Sequence, residues 1–477
     1  MIDEATALAR TEAWSYGIIA PWYLRKSQLD IYRLLLREKF AFVEAARRFG
    51  KTTSILSFVL EQLRMNAGWV CRWCFPFKNQ AREVLDAEIR KIQAHCPEHL
   101  KFILTKTDSV YIGPNGSKLY IRGVNEDRGE SARGPASNII IADEYGFWNE
   151  PSYIIKEVLF PQLENQEGQW LIKASTPPRN LGHIYYDERE VAARKGRFIQ
   201  KIIYDNEALT PQELQTIIEE CGGKDSPSFR RERLCEPVSD PDMLIIPEYN
   251  EELNDVEDSY PRPEFYTPYV GGDSGADDNT VVLFGYHDFL KDEVVIEEEY
   301  VVSGKTTAEI IETAKSIEKS LWFRKDASTI TQLTPRKRVY DANKQQIIDI
   351  FVDHKYPVQM PQKDDKYAAI HELRVIVGKR KFKIKKKCVN LRRQMKVGMW
   401  KDSRHSDFER TEGLGHLDAI AAAIYFNRCV DRHHNPWPVN PGISNYTHFI
   451  SPEFIDSQGP TEKALQNVFG PKRRGFR

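Results

Sequence analysis

A loop in the N-terminal half has the residue types needed to bind the phosphates of a nucleotide. Gly50, Lys51 and Thr52 stand between a short apolar run and an apolar helical pattern. In that position backbone N–H groups and a Lys can hold phosphates, and a Thr hydroxyl can hold Mg²⁺. The loop departs from the usual GxxxxGK[ST] pattern, because Ala45 occupies the first Gly position.

A pair of acids further along the chain could complete this site. Asp143 and Glu144 end the fully apolar run at 139–142. Asp143 could hold the magnesium shell, and Glu144 could orient and deprotonate the attacking water. A surface turn after a core strand is the alternative for this pair, but the phosphate loop upstream in the same α/β unit favours an ATPase.

A second match to the phosphate-loop pattern, SGKTT at 303–307, also lies between a predicted strand and a predicted helix. Its first Gly position is Glu299, a carboxylate where phosphates would have to pack. We therefore predict a helix N-cap there, with Ser303 or Thr306 as the capping residue.

Three aspartates in the C-terminal half could bind metal ions. Asp273 follows one predicted strand, Asp341 ends another, and Asp418 begins an otherwise apolar helix. Two-metal cleavage of a phosphodiester needs carboxylates around two cations, and an unpaired carboxylate in an apolar helix is costly to bury. Each acid also has a purely structural interpretation: a turn residue, a strand end, or a complement to the helix dipole.

The elements that must position these residues alternate between apolar strands and helical patterns, which predicts a largely parallel α/β sheet in the N-terminal half. A stretch rich in Pro and acids then interrupts the pattern and is predicted to connect two domains. We predict an N-terminal domain, a linker, a second strand-rich domain and a Pro- and Asn-rich tail, with the boundaries 1–235, 236–264, 265–430 and 431–477.

The overall charge limits the class of protein. The 477 residues include 68 Lys and Arg against 69 Asp and Glu, a net charge of −1 at pH 7. This balance excludes a uniformly basic nucleic-acid-binding protein but allows a local basic patch.

No stretch approaches the roughly 18 apolar residues of a membrane span. The seven scattered cysteines favour a reducing compartment over a disulfide framework.

A basic window is present at 374–404, where thirteen Lys and Arg are accompanied by one acid, Asp402. Phosphates attract such a window, and counterion release drives the binding. A solvated surface is the alternative. Because the window lies between two of the proposed metal-binding aspartates, we predict a DNA-contacting surface formed by Lys379, Arg380, Lys381, Lys383, Lys385, Lys386 and Lys387.

The two groups of residues, in this order on one chain, resemble the large terminase subunit of tailed bacteriophages. The resemblance covers about residues 20–430 and rests on ARRFGKT, WCFPFKNQAREVL, Arg133-Gly134, STPPRNLGHIYY, KYAAIHELRVIVGKRKFKI and GHLDAIAAAIYF. It implies an α/β fold, in which an N-terminal P-loop (RecA/ASCE-like) ATPase domain precedes an RNase H-like α/β nuclease domain.

The resemblance also implies roles for individual residues. The implied catalytic carboxylates are Glu144, Asp273, Asp341 and Asp418, the last three also as metal ligands. The implied ATP-binding residues are Gln28, Arg47, Arg48, Gly50, Lys51, Thr52, Thr53 and Asp143, with Gln28 reading adenine and with Thr52 and Asp143 holding Mg²⁺. Ser175 and Thr176 are the implied coupling residues. The arginine that completes a neighbour's ATPase site stays open among Arg47, Arg48, Arg128, Arg133 and Arg179.

The function implied by the resemblance is viral DNA packaging. The chain would move double-stranded DNA into a procapsid by ATP hydrolysis and cut concatemeric DNA with a metal-dependent endonuclease. The implied cofactors are ATP with Mg²⁺ and two divalent cations, Mg²⁺ or Mn²⁺, in the nuclease site. The implied partners are the portal protein and the small terminase subunit, with a pentameric ring and no membrane.

The implied location is the procapsid portal in the cytoplasm of the bacterial host, and not the mature virion. Two alternatives to the packaging function stay open. One is a helicase-like DNA translocase with an inert RNase H-like domain, and the other is a non-enzymatic docking protein with degenerate sites.

Overall fold

The structure is a computed structural model that describes residues 4–105, 109–274, 279–325 and 330–433. It contains two α/β units, each built on its own large sheet. The predicted tail beyond residue 433 lies outside the described residues. Within the described part, no helix combines the length and the apolar character needed to span a membrane.

The sheet of the first unit has eight strands. They are β1 (Phe40–Ala45), β2 (Val70–Phe75), β3 (Ile103–Thr105), β4 (Val110–Ile112), β5 (Lys118–Gly123), β6 (Ile139–Asp143), β7 (Trp170–Ser175) and β8 (Phe198–Lys201). Their order in the sheet is β3-β4-β5-β2-β6-β7-β1-β8. The pairs from β5 to β8 are parallel, and β3-β4-β5 is an antiparallel edge.

Both faces of the central strands are covered, which explains why β6 is apolar along its length. Ile139 and Ile141 join the core on one face, while Ile140 and Ala142 join the core on the other, because successive side chains of a strand point to opposite faces. Parallel pairing also brings the carboxyl ends of β1, β6 and β7 to one edge of the sheet. That edge is where ligands bind in open α/β sheets.

The helices of the first unit pack against the sheet. They are α1 (Glu4–Tyr16), α2 (Ala20–Tyr23), α3 (Lys26–Arg37), α4 (Lys51–Met65), α5 (Lys78–Ile92), α6 (Pro151–Tyr153), α7 (Ile184–Arg194), α8 (Pro211–Glu220) and α9 (Pro227–Leu234). A π-helical segment at Ile154–Leu159 continues α6.

The strands of the second unit are β9 (Asp255–Val256), β10 (Thr267–Ser274), β11 (Thr280–Asp288), β12 (Glu293–Val302), β13 (Phe323–Lys325), β14 (Ile330–Gln332), β15 (Lys337–Asp341) and β16 (Phe382–Lys385). Six of them form a mixed sheet in the order β15-β10-β11-β12-β16-β9, in which β10-β11-β12 is antiparallel. β13 and β14 form a separate pair.

The helices of the second unit are α10 (Glu251–Asn254), α11 (Thr307–Leu321), α12 (Lys344–Val352), α13 (Lys366–Gly378), α14 (Val389–Val397) and α15 (Asp418–Cys429). α15 lies against β10 at Gly271, where a Cβ would be 2.7 Å from Cβ of Phe426. Only a glycine therefore lets this helix lie so close to the strand.

The SGKTT segment begins α11 and confirms the predicted N-cap. The Thr306 side chain accepts a hydrogen bond from the backbone N–H of Glu309, and the Glu309 carboxylate accepts one from the backbone N–H of Thr306. This reciprocal arrangement is a capping box.

Part of the stretch predicted as a linker is built into the second unit. Met243, Ile245 and Ile246 are buried in its core. β9 pairs with β16 at the edge of the sheet. The second unit therefore includes residues well before position 265.

Candidate active sites

The loop between β1 and α4 is shaped by two positive backbone angles. Arg48 has a φ of 63° and Gly50 a φ of 100°, a conformation that favours Gly. A Cβ at Gly50 would lie 2.1 Å from Nε2 of Gln28. Nε2 of Gln28 donates to the carbonyl of Gly50 at 3.2 Å, and Arg25 donates to the carbonyl of Phe49 at 2.6 Å. The start of α3 therefore holds the loop in place.

Lys51 is the first residue of α4, and its ammonium group lies between the two predicted acids. Its Nζ is 3.0 Å from Oδ1 of Asp143 and 3.1 Å from Oε1 of Glu144. Burial by itself would lower the pKa of Lys51, but the two carboxylates outweigh burial and raise that pKa. The ammonium group therefore stays protonated and can offer its charge to phosphate oxygens.

Asp143 and Glu144 have different surroundings that suit different roles. Asp143 is fully buried, and Trp73 Nε1 donates to its Oδ2 at 3.1 Å. Glu144 has a positive φ of 49°, and 36% of its side chain is exposed. A buried, hydrogen-bonded carboxylate suits an ordered cation shell, while an accessible one can orient a water molecule.

These residues border a cavity of about 1070 Å³, which is large enough for a nucleotide. The predicted ATP-binding residues that line it are Gln28, Arg47, Arg48, Gly50, Lys51, Thr52 and Thr53. Gln28 is nearly buried, and its Oε1 accepts a hydrogen bond from the backbone N–H of Arg25 at 3.0 Å. Its contact with adenine stays a prediction.

The predicted coupling residues follow β7 at the same edge of the sheet. Thr176 lines the cavity, and the buried Ser175 Oγ accepts a hydrogen bond from the backbone N–H of Gly146 at 3.1 Å. A Cβ at Gly146 would lie 2.9 Å from Cδ of Pro178. The segment after β7 therefore rests directly on the turn that follows Glu144.

Four of the five arginines considered for a neighbour's site lie near carboxylates of this chain. The pairs are Arg47–Glu232 at 3.3 Å, Arg128–Glu150 at 2.5 Å, Arg133–Glu130 at 2.6 Å and Arg179–Asp240 at 4.0 Å. Arg47 and Arg48 also line the cavity of their own chain. The choice among the five stays open.

The three predicted nuclease acids line one cavity of about 470 Å³ in the second unit. Asp273 and Asp341 are direct partners in the parallel pairing of β10 with β15. Asp418 is the first residue of α15 and is almost fully buried. The packing of α15 on β10 therefore brings together acids that are far apart in sequence.

Two residues that sequence reasoning missed hold the carboxylate of Asp341. The hydroxyl of Tyr425 donates to Oδ2 at 2.7 Å, and Nζ of Lys363 is 2.7 Å from Oδ1. Tyr425 could have been found, because it lies seven positions after Asp418, about two turns along the same helix face. Lys363 lies outside the helices and strands, where no local periodicity identifies it.

The donor chemistry of this cavity fits hard divalent cations, because Mg²⁺ and Mn²⁺ prefer carboxylate oxygens. Across the described ranges, however, no three His, Cys, Asp or Glu side chains converge closely enough to hold a metal ion. The Lys363 ammonium group lies beside Asp341 instead. The residues that would hold metal ions are Asp273, Asp341 and Asp418. The Lys363 ammonium group would first have to move away from Oδ1 of Asp341.

Much of the predicted DNA-contacting surface is paired within the second unit. Lys385 is nearly buried, and Lys379 and Arg380 are exposed. The paired residues are Lys381 with the carbonyl of Lys291, Lys383 with that of Leu253, Lys385 with Glu297, Lys386 with Glu257 and Lys387 with Glu298. These contacts reduce the charge available to phosphates, and the DNA contact of this surface stays a prediction.

The two units touch where α6 and the segment after β7 meet the loop before α15. Asn180 Nδ2 donates to Oε2 of Glu409 at 2.8 Å, and the backbone N–H of Ser152 donates to Oε2 of Glu412 at 2.8 Å. The same loop, at 407–416, also lines the nuclease cavity. The chain that follows the predicted coupling residues therefore contacts one wall of the second cavity.

Gly182→Ala is expected to destabilise this contact between the units. A Cβ at Gly182 would lie 2.0 Å from Cδ1 and 2.4 Å from Cγ of Leu414, so the added methyl group must displace a packed side chain. Such overpacking costs about 1–3 kcal/mol, measurable as a lower midpoint in urea unfolding. Gly378→Ala is the control, because a Cβ there meets Glu248 side-chain atoms only at 3.4 Å and beyond. Equal shifts in both variants would contradict the close contact.

Comparison with known proteins gives an independent finding about both units. Residues 42–246 match the sequence model of a family described as terminase large subunit, T4likevirus-type, N-terminal. The fold is similar to that of the HK97 bacteriophage large terminase, with a TM-score of 0.52 and 15% identity, covering 90% of this chain and 100% of that one. A comparison with curated proteins found no match.

Two further solved structures are similar to parts of the chain. The large terminase of a thermophilic bacteriophage, in complex with ADP, has a TM-score of 0.40 and 14% identity, covering 85% of this chain and 99% of that one. The nuclease domain of the P22 large terminase has a TM-score of 0.30 and 13% identity, covering 38% of this chain and 89% of that domain.

The two α/β units, each on its own large sheet, and the similarity in fold to HK97 large terminase confirm the predicted α/β fold class. The family match covers most of the first unit, and the similarity in fold to HK97 large terminase extends over both. Residues 42–246 thus match the N-terminal model of the large terminase family, and the chain is similar in fold to a phage large terminase.

Proposed function

We propose that this chain is the ATP-driven motor and the nuclease of viral DNA packaging. The observation that carries the proposal is the Lys51 ammonium group held between Asp143 and Glu144 at the edge of a nucleotide-sized cavity. Burying one cation with two carboxylates is a poor source of stability. A docking protein with degenerate sites would gain little from keeping this arrangement, so we favour an enzyme.

In the first unit, each residue of the site has one task in ATP hydrolysis. Lys51 binds phosphate oxygens, and Glu144 orients and deprotonates the attacking water. Mg²⁺, held by Thr52 and Asp143, would neutralise charge on the phosphates. Ser175 and Thr176 lie between this site and the segment that reaches the second unit. Loss of the terminal phosphate of ATP would therefore shift this segment and, through it, the second unit.

In the second unit, Asp273, Asp341 and Asp418 are the residues that cut DNA. Two divalent cations held by them would stabilise the attacking and leaving oxygens of the phosphodiester. Tyr425 orients Asp341 through Oδ2, which leaves Oδ1 for a cation once Lys363 moves. Double-stranded DNA is moved by the first unit and cut by the second.

The partners we propose are the portal protein and the small terminase subunit. The active form would be a pentameric ring at the procapsid portal, in the cytoplasm of the bacterial host, and it would leave before the virion is mature. The match of residues 42–246 to the N-terminal model of the large terminase family supports these proposals.

The purified chain is expected to release phosphate from ATP and to nick and linearise supercoiled plasmid when Mn²⁺ is present. EDTA should abolish cleavage, because the carboxylates lose their cations. Phosphate release with no cleavage in either Mg²⁺ or Mn²⁺ would favour a translocase with an inert second unit. Loss of both activities in folded protein would favour the docking protein.

A further inference from the structure

The helix that carries Asp418 begins in an unusual way. Asp418 is the first residue of α15, and Leu417 before it has a φ of 62° and a ψ of 35°. This left-handed conformation is unfavourable for a residue with a Cβ. The Leu417 side chain also cannot accept hydrogen bonds from the first N–H groups of α15, which is the usual task of Ser, Thr, Asp or Asn at this position.

A glutamine of a different helix performs this task. Oε1 of Gln394, on α14, accepts hydrogen bonds from the backbone N–H groups of Ala419 at 2.9 Å and Ile420 at 3.2 Å. Its Nε2 donates to the carbonyl of Leu414 at 3.0 Å. One amide therefore binds the backbone on both sides of Asp418.

The surroundings of Gln394 are otherwise those of a hydrophobic core. Only 6% of the residue is exposed, and its helix neighbours Leu391 and Met395 belong to the core of the second unit. An amide is costly to bury unless it forms hydrogen bonds, and a capping residue at position 417 would satisfy α15 without it. A distant cap beside a strained residue therefore points to a functional requirement on position.

The amide fixes where α15 lies along and around its own axis. The N-terminal turn of the helix is tied to α14 by Gln394. Two turns later, the hydroxyl of Tyr425 donates to Oδ2 of Asp341 at 2.7 Å and ties α15 to β15. Carboxylates from separate elements form a working site only when they are held within about 0.5 Å of the productive geometry. The first of these two ties is the one next to Asp418.

We propose that Gln394 is a positioning residue of the nuclease site, which holds the carboxylate of Asp418 where it can share cations with Asp273 and Asp341. Its amide bonds backbone groups, so Gln394 acts through α15 and not by contact with DNA. The proposal rests on the proposed function, since it names a residue on which the nuclease activity depends.

The test measures Mn²⁺ binding to the full chain by isothermal titration, and DNA cleavage at saturating Mn²⁺. Gln394→Met has a similar length and no amide. It is expected to weaken the Mn²⁺ binding that Asp273→Asn removes by at least about tenfold, and to lower kcat for cleavage about 10- to 100-fold, as the loss of a residue that orients a metal ligand typically does. The KM for plasmid DNA and the rate of ATP turnover should stay close to those of the wild type.

Gln394→Asn covers the case in which Gln394→Met does not fold. It keeps an amide but is one methylene too short to reach the N–H groups of α15, so it should also weaken Mn²⁺ binding.

The matched control is Gln93→Met in the first unit. Gln93 is 8% exposed, and its amide likewise bonds backbone groups, the N–H of Phe102 at 2.6 Å and the carbonyl of Phe102 at 3.2 Å. The control should lower the midpoint of urea unfolding, as Gln394→Met does, but leave Mn²⁺ affinity and cleavage unchanged.

Wild-type Mn²⁺ affinity in the folded Gln394 variants would overturn the proposal. An equal loss of Mn²⁺ affinity in Gln93→Met would also overturn it, because the effect would then be one of general stability. A higher KM with an unchanged kcat would place the effect on DNA binding and contradict the proposal as well. A wild-type chain that neither binds Mn²⁺ in its second unit nor cleaves DNA would instead contradict the proposed function.

Discussion

Glu144→Gln is expected to lower ATP turnover by about two to four orders of magnitude, the usual contribution of a positioned general base. The amide keeps the shape of the side chain but cannot accept a proton from water. The Lys51 ammonium group still has Asp143 at 3.0 Å, so the phosphate loop should keep its position. ATP affinity, measured with a fluorescent analogue, should therefore stay close to that of the wild type.

The control for this prediction is Glu83→Gln, an identical change on α5 in the same cavity. The rate of phosphate release should stay within about twofold of the wild-type rate, because Glu83 is not the carboxylate that contacts Lys51 and is not expected to deprotonate the attacking water. A Glu144→Gln enzyme with nearly normal turnover would contradict the role given to Glu144. Loss of both ATP binding and turnover would point to a collapsed loop instead.

Asp273→Asn is expected to lower Mn²⁺-dependent DNA cleavage by at least about 100-fold, which corresponds to about 2.7 kcal/mol of barrier. The amide has nearly the shape of the carboxylate but no negative charge for a cation. Asp273 pairs directly with Asp341 across β10 and β15, so one lost charge affects the whole cation site. ATP turnover, which belongs to the first unit, should be retained.

The matched control is Asp364→Asn, because Asp364 lines the same cavity but its side chain is 83% exposed. It should change cleavage little. Isothermal titration with Mn²⁺ gives a readout that does not depend on cleavage, and Asp273→Asn should lose binding there. Cleavage that survives Asp273→Asn would contradict the nuclease assignment.

The first site could be predicted well because its parts are local in sequence. The order of apolar strand, polar loop and helix places Gly50 and Lys51 at a strand-to-helix junction, and an apolar strand that ends in Asp143 and Glu144 can be identified without tertiary information. In the second site, Asp273, Asp341 and Asp418 each have an ordinary structural interpretation, so their grouping depended on the resemblance. The structure places all three on one cavity.

The residues that sequence reasoning missed act through contacts between distant segments. Lys363 reaches Asp341 from a loop, and no spacing rule predicts such a contact. Tyr425 is different, because its helical spacing from Asp418 was available. The contact of Asn180 with Glu409 joins the two units and could not be foreseen from either segment by itself.

The sequence by itself predicted the α/β fold class, the order of the two units and a candidate phosphate loop, because these depend on local pattern and residue type. Tertiary structure decided which charges are available to a ligand. The basic window at 374–404 is conspicuous in the sequence, yet Lys386 pairs with Glu257, a residue of the predicted linker. Lys379, in the same window, stays exposed. Charge is a property of residue type, whereas its neutralisation depends on which segments the fold brings within a few ångströms.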